Sequence, residues 1–442
     1  MRLIAAWGGT IALVLGLAAA PVDAAGPASS QSSVVASTAQ VAAKKAAKKK
    51  WRPKQGAFFN RPRAAQPADQ WIVERQVLKA INNTKKGQQI RMAIFSFDRH
   101  PMADALIAAK RRGVRVQILL NDHQQNSAMY RLYKALGRKP KKNKSFAYRC
   151  TKGCRSTFEN LHTKFYLFSK TGAARDVVMV GSHNLTANAA INQWNDLYVI
   201  RDKPKVYDPF VELFNEMRKD RKAKPQYYKR KLTKKYQLEV LPYPNFSAKN
   251  DPMMDNLNKV KCKTAKGAPS GVKGRTMVRV NMHAWNTKRG AWLARKVRQL
   301  YAQGCDVKVM YGTASKLVRD EFAKKTPRGA LPVHVDGYDT NYDGLIDLYG
   351  HLKVLTIGGH WGKDRSARYT WTGSSNWGNS GLRGDEVILR IKGNTVMRRY
   401  NSNFNYMWRN GSHLAKYIDY GRGVSPRLAP PPKPGGPAWE ND

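Results

Sequence analysis

Two histidines in this chain are each followed two positions later by a lysine, in His162-Thr163-Lys164 and His351-Leu352-Lys353. One such pair means little in a chain with nine His and this many lysines. These two, however, sit in matching surroundings. Measured from Gly113 and Gly304, the histidines come 49 and 47 residues on. Gly181-Ser182-His183-Asn184 and Gly373-Ser374-Ser375-Asn376 begin 68 and 69 residues on, and the acids Asp196 and Glu386 follow at 83 and 82. Four landmarks in one order, each within two residues of the same spacing, describe a site written twice.

The residue types suit chemistry on an anionic centre. His and Lys two apart on an extended strand share a face. One imidazole can attack phosphorus while Lys164, Lys353, Asn184 and Asn376 donate to the non-bridging oxygens, with Ser182 and Ser374 supporting that pocket. The second imidazole protonates the departing alkoxide and later takes a proton from water or an alcohol. Asp196 and Glu386 are expected to accept the opposite ring N–H and orient the two rings. Countercharge from side chains makes a divalent metal unnecessary, so no cofactor is expected.

Each half-site is preceded by the pattern of a βαβ unit. In the first, apolar strand-like runs at 90–97 and 114–120 flank a helical stretch at 101–112, and Gly113 stands where a left-handed helix terminator is wanted. The second repeats the order with strands at 277–282 and 307–311, a helix around 292–301, and Gly304. Such units place parallel strands side by side through a right-handed crossover.

Composition bounds the rest. The 442 residues carry 79 Lys and Arg against 30 Asp and Glu, a net charge of +49, and 42% hydrophobic residues are enough for real cores. No internal run is apolar enough for a polytopic membrane protein. Runs at 44–63, 134–152 and 218–235 hold nine, eight and ten basic residues, with Asp220 the one opposing acid. An anionic partner is implied, first a phospholipid surface and second a nucleic acid. Residues 1–24 show the three-part pattern of a secretory signal peptide, with an uncleaved anchor as the alternative. Residues 25–67 look like a disordered basic linker, and 424–442 form a Pro/Gly-rich tail. A secreted, extracellular monomer is expected, and no partner protein is implied. Export favours disulfides over zinc or free thiols. Cys150 with Cys154 and Cys262 with Cys305 is the natural pairing among the three that four cysteines allow. Asp339, Asn341, Asp343 and Asp347 form a weak calcium-loop pattern whose twelfth position is Gly350 where Glu is required. Trp361, Trp371 and Trp377 would line a groove or pack a core.

With these residues in view, the chain resembles the phospholipase D superfamily over about residues 70–410. That family has paired His-x-Lys sites with a downstream Gly-Ser-x-x-Asn-type element. The resemblance implies a duplicated α/β fold: two lobes at 68–235 and 236–423, each a mixed, mainly parallel sheet flanked by helices, related by a pseudo-two-fold axis. It implies a phosphohistidine intermediate, with His162 and His351 as nucleophile and acid/base in an order the motif leaves open. The family's Asp five residues after the lysine is replaced here by Ser169 and Gly358. The expected activity is a phospholipase D-type phosphodiesterase that hydrolyses or transfers phospholipid headgroup diesters. A secreted nuclease is the alternative, and a polyanion-binding protein without catalysis is the alternative of another class.

Overall fold

Gly113 and Gly304 stop their helices by the same device. Both adopt positive φ, +86° and +101°. The following residues donate back across the last turn, Val114 N–H to Ala109 O and Cys305 N–H to Leu300 O, each at 3.0 Å. The strand–helix–strand units so formed are Gln89–Ile94, His100–Arg111, Arg115–Leu120 and Met277–Trp285, Thr287–Ala302, Asp306–Ala314. In both, the strands pair in parallel, with Ile90 opposite Val116 and Val278 opposite Val307. The computed structural model describes residues 50–267, 269–339 and 346–414. The expected signal peptide, most of the expected linker, the tail and the calcium-loop residues Asn341 and Asp343 lie outside these.

The duplication runs through whole sheets. The first has seven strands in the order Gly56–Phe59, Asp196–Ile200, Ala174–Gly181, Phe165–Thr171, Gln89–Ile94, Arg115–Leu120, Phe146–Arg149. The second repeats that order with Tyr236–Val240, Val387–Lys392, Asp364–Gly373, Lys353–Trp361, Met277–Trp285, Asp306–Ala314 and Val333–Val335, and extends it at both edges. Both sheets are mixed, but parallel pairing is confined to the βαβ strand and its neighbours on one side. The mainly parallel sheet expected from sequence is thus corrected. The strand after each His-x-Lys turns back as a hairpin, and hairpins pair antiparallel.

The linker expectation is corrected in the same way. Gly56–Phe59 pairs antiparallel with Asp196–Ile200, just as Tyr236–Val240 pairs with Val387–Lys392. It is the opening strand of the first repeat, too short to stand out from the Lys- and Ala-rich run before it. The lobe boundary also moves, because Tyr228–Lys231 already belongs to the second sheet.

One core cluster joins Phe165, Val180 and Tyr198 of the first lobe to Leu238, Val354 and Leu389 of the second, so the lobes share a core. Fully burying side chains of this size contributes about 1.5–3 kcal/mol each, which holds the lobes in one register. Each lobe also has its own core. Trp371 and Trp377 are buried in the second, Trp377 against Trp285 with centroids 4.5 Å apart, while Trp361 donates to Asn256 O at 2.8 Å. Disulfides join Cys150 to Cys154 and Cys262 to Cys305. No described helix is long and apolar enough to cross a membrane.

Candidate active site

Both His-x-Lys segments lead directly into strands, so their histidines lie at the sheet ends where the lobes meet. There each is tied to the other lobe at two points. His162 N–H donates to Asp385 O at 3.1 Å and its Nδ1 lies 2.8 Å from Glu386 Oε1. His351 N–H donates to Trp194 O at 2.9 Å and its Nδ1 lies 2.7 Å from Asn195 Oδ1. Every one of these partners is supplied by the opposite repeat. His162, Lys164, His351, Lys353, Asn184, Asn376, Asn195 and Glu386 are all buried, and the lobe contact brings them together.

Asp196, expected to orient a histidine, does something else. Its Oδ1 accepts the Ser182 N–H at 3.1 Å, and its Oδ2 accepts the Thr372 hydroxyl and the Tyr400 hydroxyl, the latter at 2.7 Å. Burial pushes its carboxyl up, opposed by those hydrogen bonds from Thr372, Tyr400 and Ser182. The reason is register. Ser182 N–H meets Asp196 O where Ser374 N–H meets Val387 O, so Asp196 corresponds to Val387 and Asn195 to Glu386. The spacing carried that signal, since Asn195 and Glu386 both lie 82 residues beyond their glycines.

The motif glycines are required by close approach. A Cβ on Gly181 would sit 2.3 Å from Asp196 O, and one on Gly373 would sit 2.1 Å from Val387 O. The asparagines that follow are held by their amide oxygens. Asn184 Oδ1 accepts Ser96 N–H and Asn376 Oδ1 accepts Ala284 N–H, both at 3.2 Å, which turns each NH2 donor end the other way. Ser182 Oγ donates to Asn195 Oδ1 at 2.8 Å, and Ser374 Oγ accepts Val387 N–H at 3.1 Å. Lys164 Nζ donates to His162 O at 2.8 Å, while Lys353 Nζ reaches both His351 O at 3.0 Å and the ring Nε2 at 2.7 Å. His183 is buried, and its carbonyl accepts the Tyr166 hydroxyl at 2.8 Å. Where the family carries its Asp, Ser169 accepts Gln89 N–H at 2.8 Å, and Gly358 is packed against Met397 and Met277.

Several residues here carried no sequence signal. Phe95 and His283 occupy matching positions, each one residue before the backbone N–H that holds Asn184 or Asn376. Phe95 packs edge-on to His162 at 4.9 Å between centroids, and His283 packs against His351 at 4.7 Å. His123 stacks on Phe95 at 3.9 Å. Buried Asn60 accepts Asn195 N–H at 2.7 Å and donates to Gln193 O at 2.8 Å, pinning the strand end that presents Asn195. On the other side, the Asp385 carboxylate accepts Arg155 N–H at 2.9 Å and Ser156 N–H at 2.8 Å. Burial pushes Asp385 up to about 7 against those hydrogen bonds and the Arg155 charge. Asp339 and Asp347 are the described part of the calcium-like pattern. Among the described residues no group of three or more His, Cys, Asp or Glu is placed to hold a metal ion.

The family model described as "Cardiolipin synthase, PLD-like domain" matches residues 77–218 and 276–408, one match per lobe. No curated protein sequence matches the chain. Among solved structures, the phosphatidylserine synthase of Haemophilus influenzae is similar at 15% identity and TM-score 0.54, over 83% of this chain and 89% of that one. The polyphosphate kinase of Porphyromonas gingivalis is similar at 12% identity and TM-score 0.50, over 80% of this chain. This chain spans 50% of that kinase. At these identities the likeness is one of fold.

Proposed function

Given that this chain belongs to the cardiolipin synthase, PLD-like domain family, we propose that it cleaves phosphodiesters with His162 as nucleophile and His351 as general acid and base. The carrying observation is the unequal pair of Nδ1 partners, the Glu386 carboxylate for His162 and the Asn195 amide for His351. A carboxylate on Nδ1–H directs the lone pair of His162 to Nε2 and stabilises the cationic ring that phosphorylation creates. A neutral amide holds His351 in position without stabilising its charged form, which suits a proton donor.

His162 Nε2 forms the N–P bond as the P–O bond to the leaving alkoxide breaks, and that alkoxide takes the proton on His351 Nε2. Neutral His351 then removes a proton from water or an alcohol, whose oxygen attacks phosphorus and releases His162. Lys164, Lys353, Asn184 and Asn376 neutralise the non-bridging oxygens. Lys353, now against His351 Nε2, is drawn to the phosphate on binding, which lets that nitrogen carry the transferred proton.

The substrate reading is a phospholipid headgroup diester, hydrolysed or transferred to an alcohol outside the cell. It is supported by the family's description, by the name of the Haemophilus synthase and by two disulfides that suit an oxidising compartment. A nucleic-acid diester is the second reading. It is favoured by the packing of Trp371 and Trp377 into the core, where they are withdrawn from any groove for acyl chains. The test is a paired assay of the full chain with and without EDTA, on phosphatidylglycerol vesicles and on plasmid DNA, with His162→Ala and His351→Ala as controls. Headgroup release lost in both variants supports the first reading and nicking supports the second. Silence on both substrates overturns catalysis, and full inhibition by EDTA overturns the metal-free route.

A further inference from the structure

The basic runs at 134–152 and 218–235 are far apart in sequence, and the fold joins them. The loop after the Ser127–Leu136 helix brings Arg138, Lys139, Lys141 and Lys142 to one wall of an open cleft of about 370 Å³. Arg218 and Lys219, just past the Pro204–Met217 helix, line the same cleft. The acid in the lining, Asp220, already accepts the Tyr148 hydroxyl at 2.7 Å. Like charges gathered around one concavity repel each other and focus a positive potential that an anion relieves.

From Asp220 the chain continues along a second open cleft of about 430 Å³, lined by Lys222, Lys224, Tyr227 and Tyr243. The two tyrosine rings meet edge to face at 4.7 Å between centroids. Tyr243 N–H donates to Leu382 O at 2.6 Å and Leu241 N–H to Glu386 O at 3.1 Å, so this cleft adjoins the backbone that presents Glu386. The 218–227 segment runs along both clefts, with Arg218, Lys219 and Asp220 in the first and Lys222 to Tyr227 in the second, and the first also takes in Tyr148 of the edge strand Phe146–Arg149.

We propose that these two clefts form a binding site for a nucleic-acid strand, distinct from the catalytic pocket. The cations at 138–142 and 218–224 take backbone phosphates, and the Tyr227 and Tyr243 rings take bases. Cations interleaved with aromatic rings in a concave track suit a polymer of phosphates and flat bases. An anionic bilayer also attracts the cations, but it has no bases for the tyrosine rings and is gripped more firmly through exposed apolar side chains. The large exposed hydrophobics among the described residues, Tyr130, Phe158, Ile191, Val272 and Leu317, line neither cleft. Binding here does not depend on the reaction proposed above, and it is read without turnover.

The experiment is fluorescence anisotropy of a labelled single-stranded DNA 20-mer with the full chain across a salt series. The cleft variant carries Lys139→Glu, Lys141→Glu, Lys142→Glu and Lys219→Glu. The control carries Lys263→Glu, Lys266→Glu, Lys273→Glu and Lys288→Glu, four exposed lysines of the other lobe with the same change in net charge. Unchanged circular dichroism shows that both fold. Affinity of the cleft variant is expected to fall about tenfold or more near 150 mM salt, and the slope of log affinity against log salt to drop by about three. The control is expected to stay within about threefold of the parent. Equal weakening by both variants, or no weakening by the cleft variant, overturns the proposal. So does loss of phosphatidylglycerol vesicle binding by the cleft variant with DNA binding intact.

Discussion

The ring Nδ1 of His351 lies 2.7 Å from Oδ1 of Asn195, a residue 156 positions earlier in the opposite repeat. At the matching place His162 meets Glu386 at 2.8 Å. The pseudo-symmetry is close in backbone and broken in charge, and the proposed division of roles between the two imidazoles rests on that break.

Replacing Asn195 by Asp should make the two half-sites electrostatically alike. A carboxylate beside an imidazolium favours its charged form, so His351 would keep its proton to higher pH. The basic limb of the kcat/KM profile is expected to move upward, with kcat reduced because the stronger base is the poorer acid. An unmoved limb would show that His351 is not the group titrating there.

Glu386→Gln keeps the shape and removes the charge from His162. Loss of that charge from the phosphorylated ring is expected to lower kcat on the order of 100-fold, as for other lost transition-state contacts. Single-turnover measurements should locate the loss in the formation of the phosphohistidine. Asp196→Ala is expected to behave differently, leaving the Thr372 and Tyr400 hydroxyls without their acceptor and costing about 2–4 kcal/mol of stability. Well below its melting temperature this variant should retain turnover within a few-fold.

Asp336 is buried, with Gly350 so close that a Cβ there would sit 2.1 Å from Oδ2. Burial pushes its carboxyl up to about 7 from an ordinary 3.8. The folded state therefore binds the proton more tightly than the unfolded state. Stability from this group is present at low pH and is lost as pH rises from about 4 to about 7. Asp336→Asn has no such loss, so its stability relative to the parent should improve between pH 5 and pH 8 on the order of 3 kcal/mol. Denaturant melts at the two pH values measure the difference, and a constant difference would contradict the assignment.

The two disulfides should differ in worth. Cys262 and Cys305 are separated by 43 residues and Cys150 and Cys154 by four. Loop-closure entropy then assigns about 4 kcal/mol to the first and about 2 kcal/mol to the second. Paired Cys→Ser variants compared by chemical denaturation should rank in that order. Only the 150–154 pair should also lower turnover, because Arg155 and Ser156 directly beyond it hold the Asp385 carboxylate next to Glu386.

Much of this site was legible because its signals are local. A terminating glycine, a His-x-Lys before an apolar strand and a Gly-Ser-x-Asn turn each report on a few neighbouring residues. Asn195 is masked in the sequence by the acid beside it, because chemistry favours acids as histidine partners, although its spacing matches that of Glu386. Asn60 lay in a segment whose composition reads as linker, and a four-residue strand is too short for alternation to reveal. Asp385 gains its place only from the disulfide loop that folds onto it.

The sequence by itself determined that one unit is present twice, that each copy carries its His-x-Lys and Gly-Ser-x-Asn side chains, and that their chemistry suits a phosphodiester. Tertiary structure alone decided which partner each imidazole receives, that Asp196 braces the lobe contact, and that two distant basic runs line one cleft. These depend on how the two sheets dock over a shared core. A hydrogen bond weakens steeply within a few tenths of an ångström and a few tens of degrees. A one-residue difference in register therefore exchanges a charged partner for a neutral one.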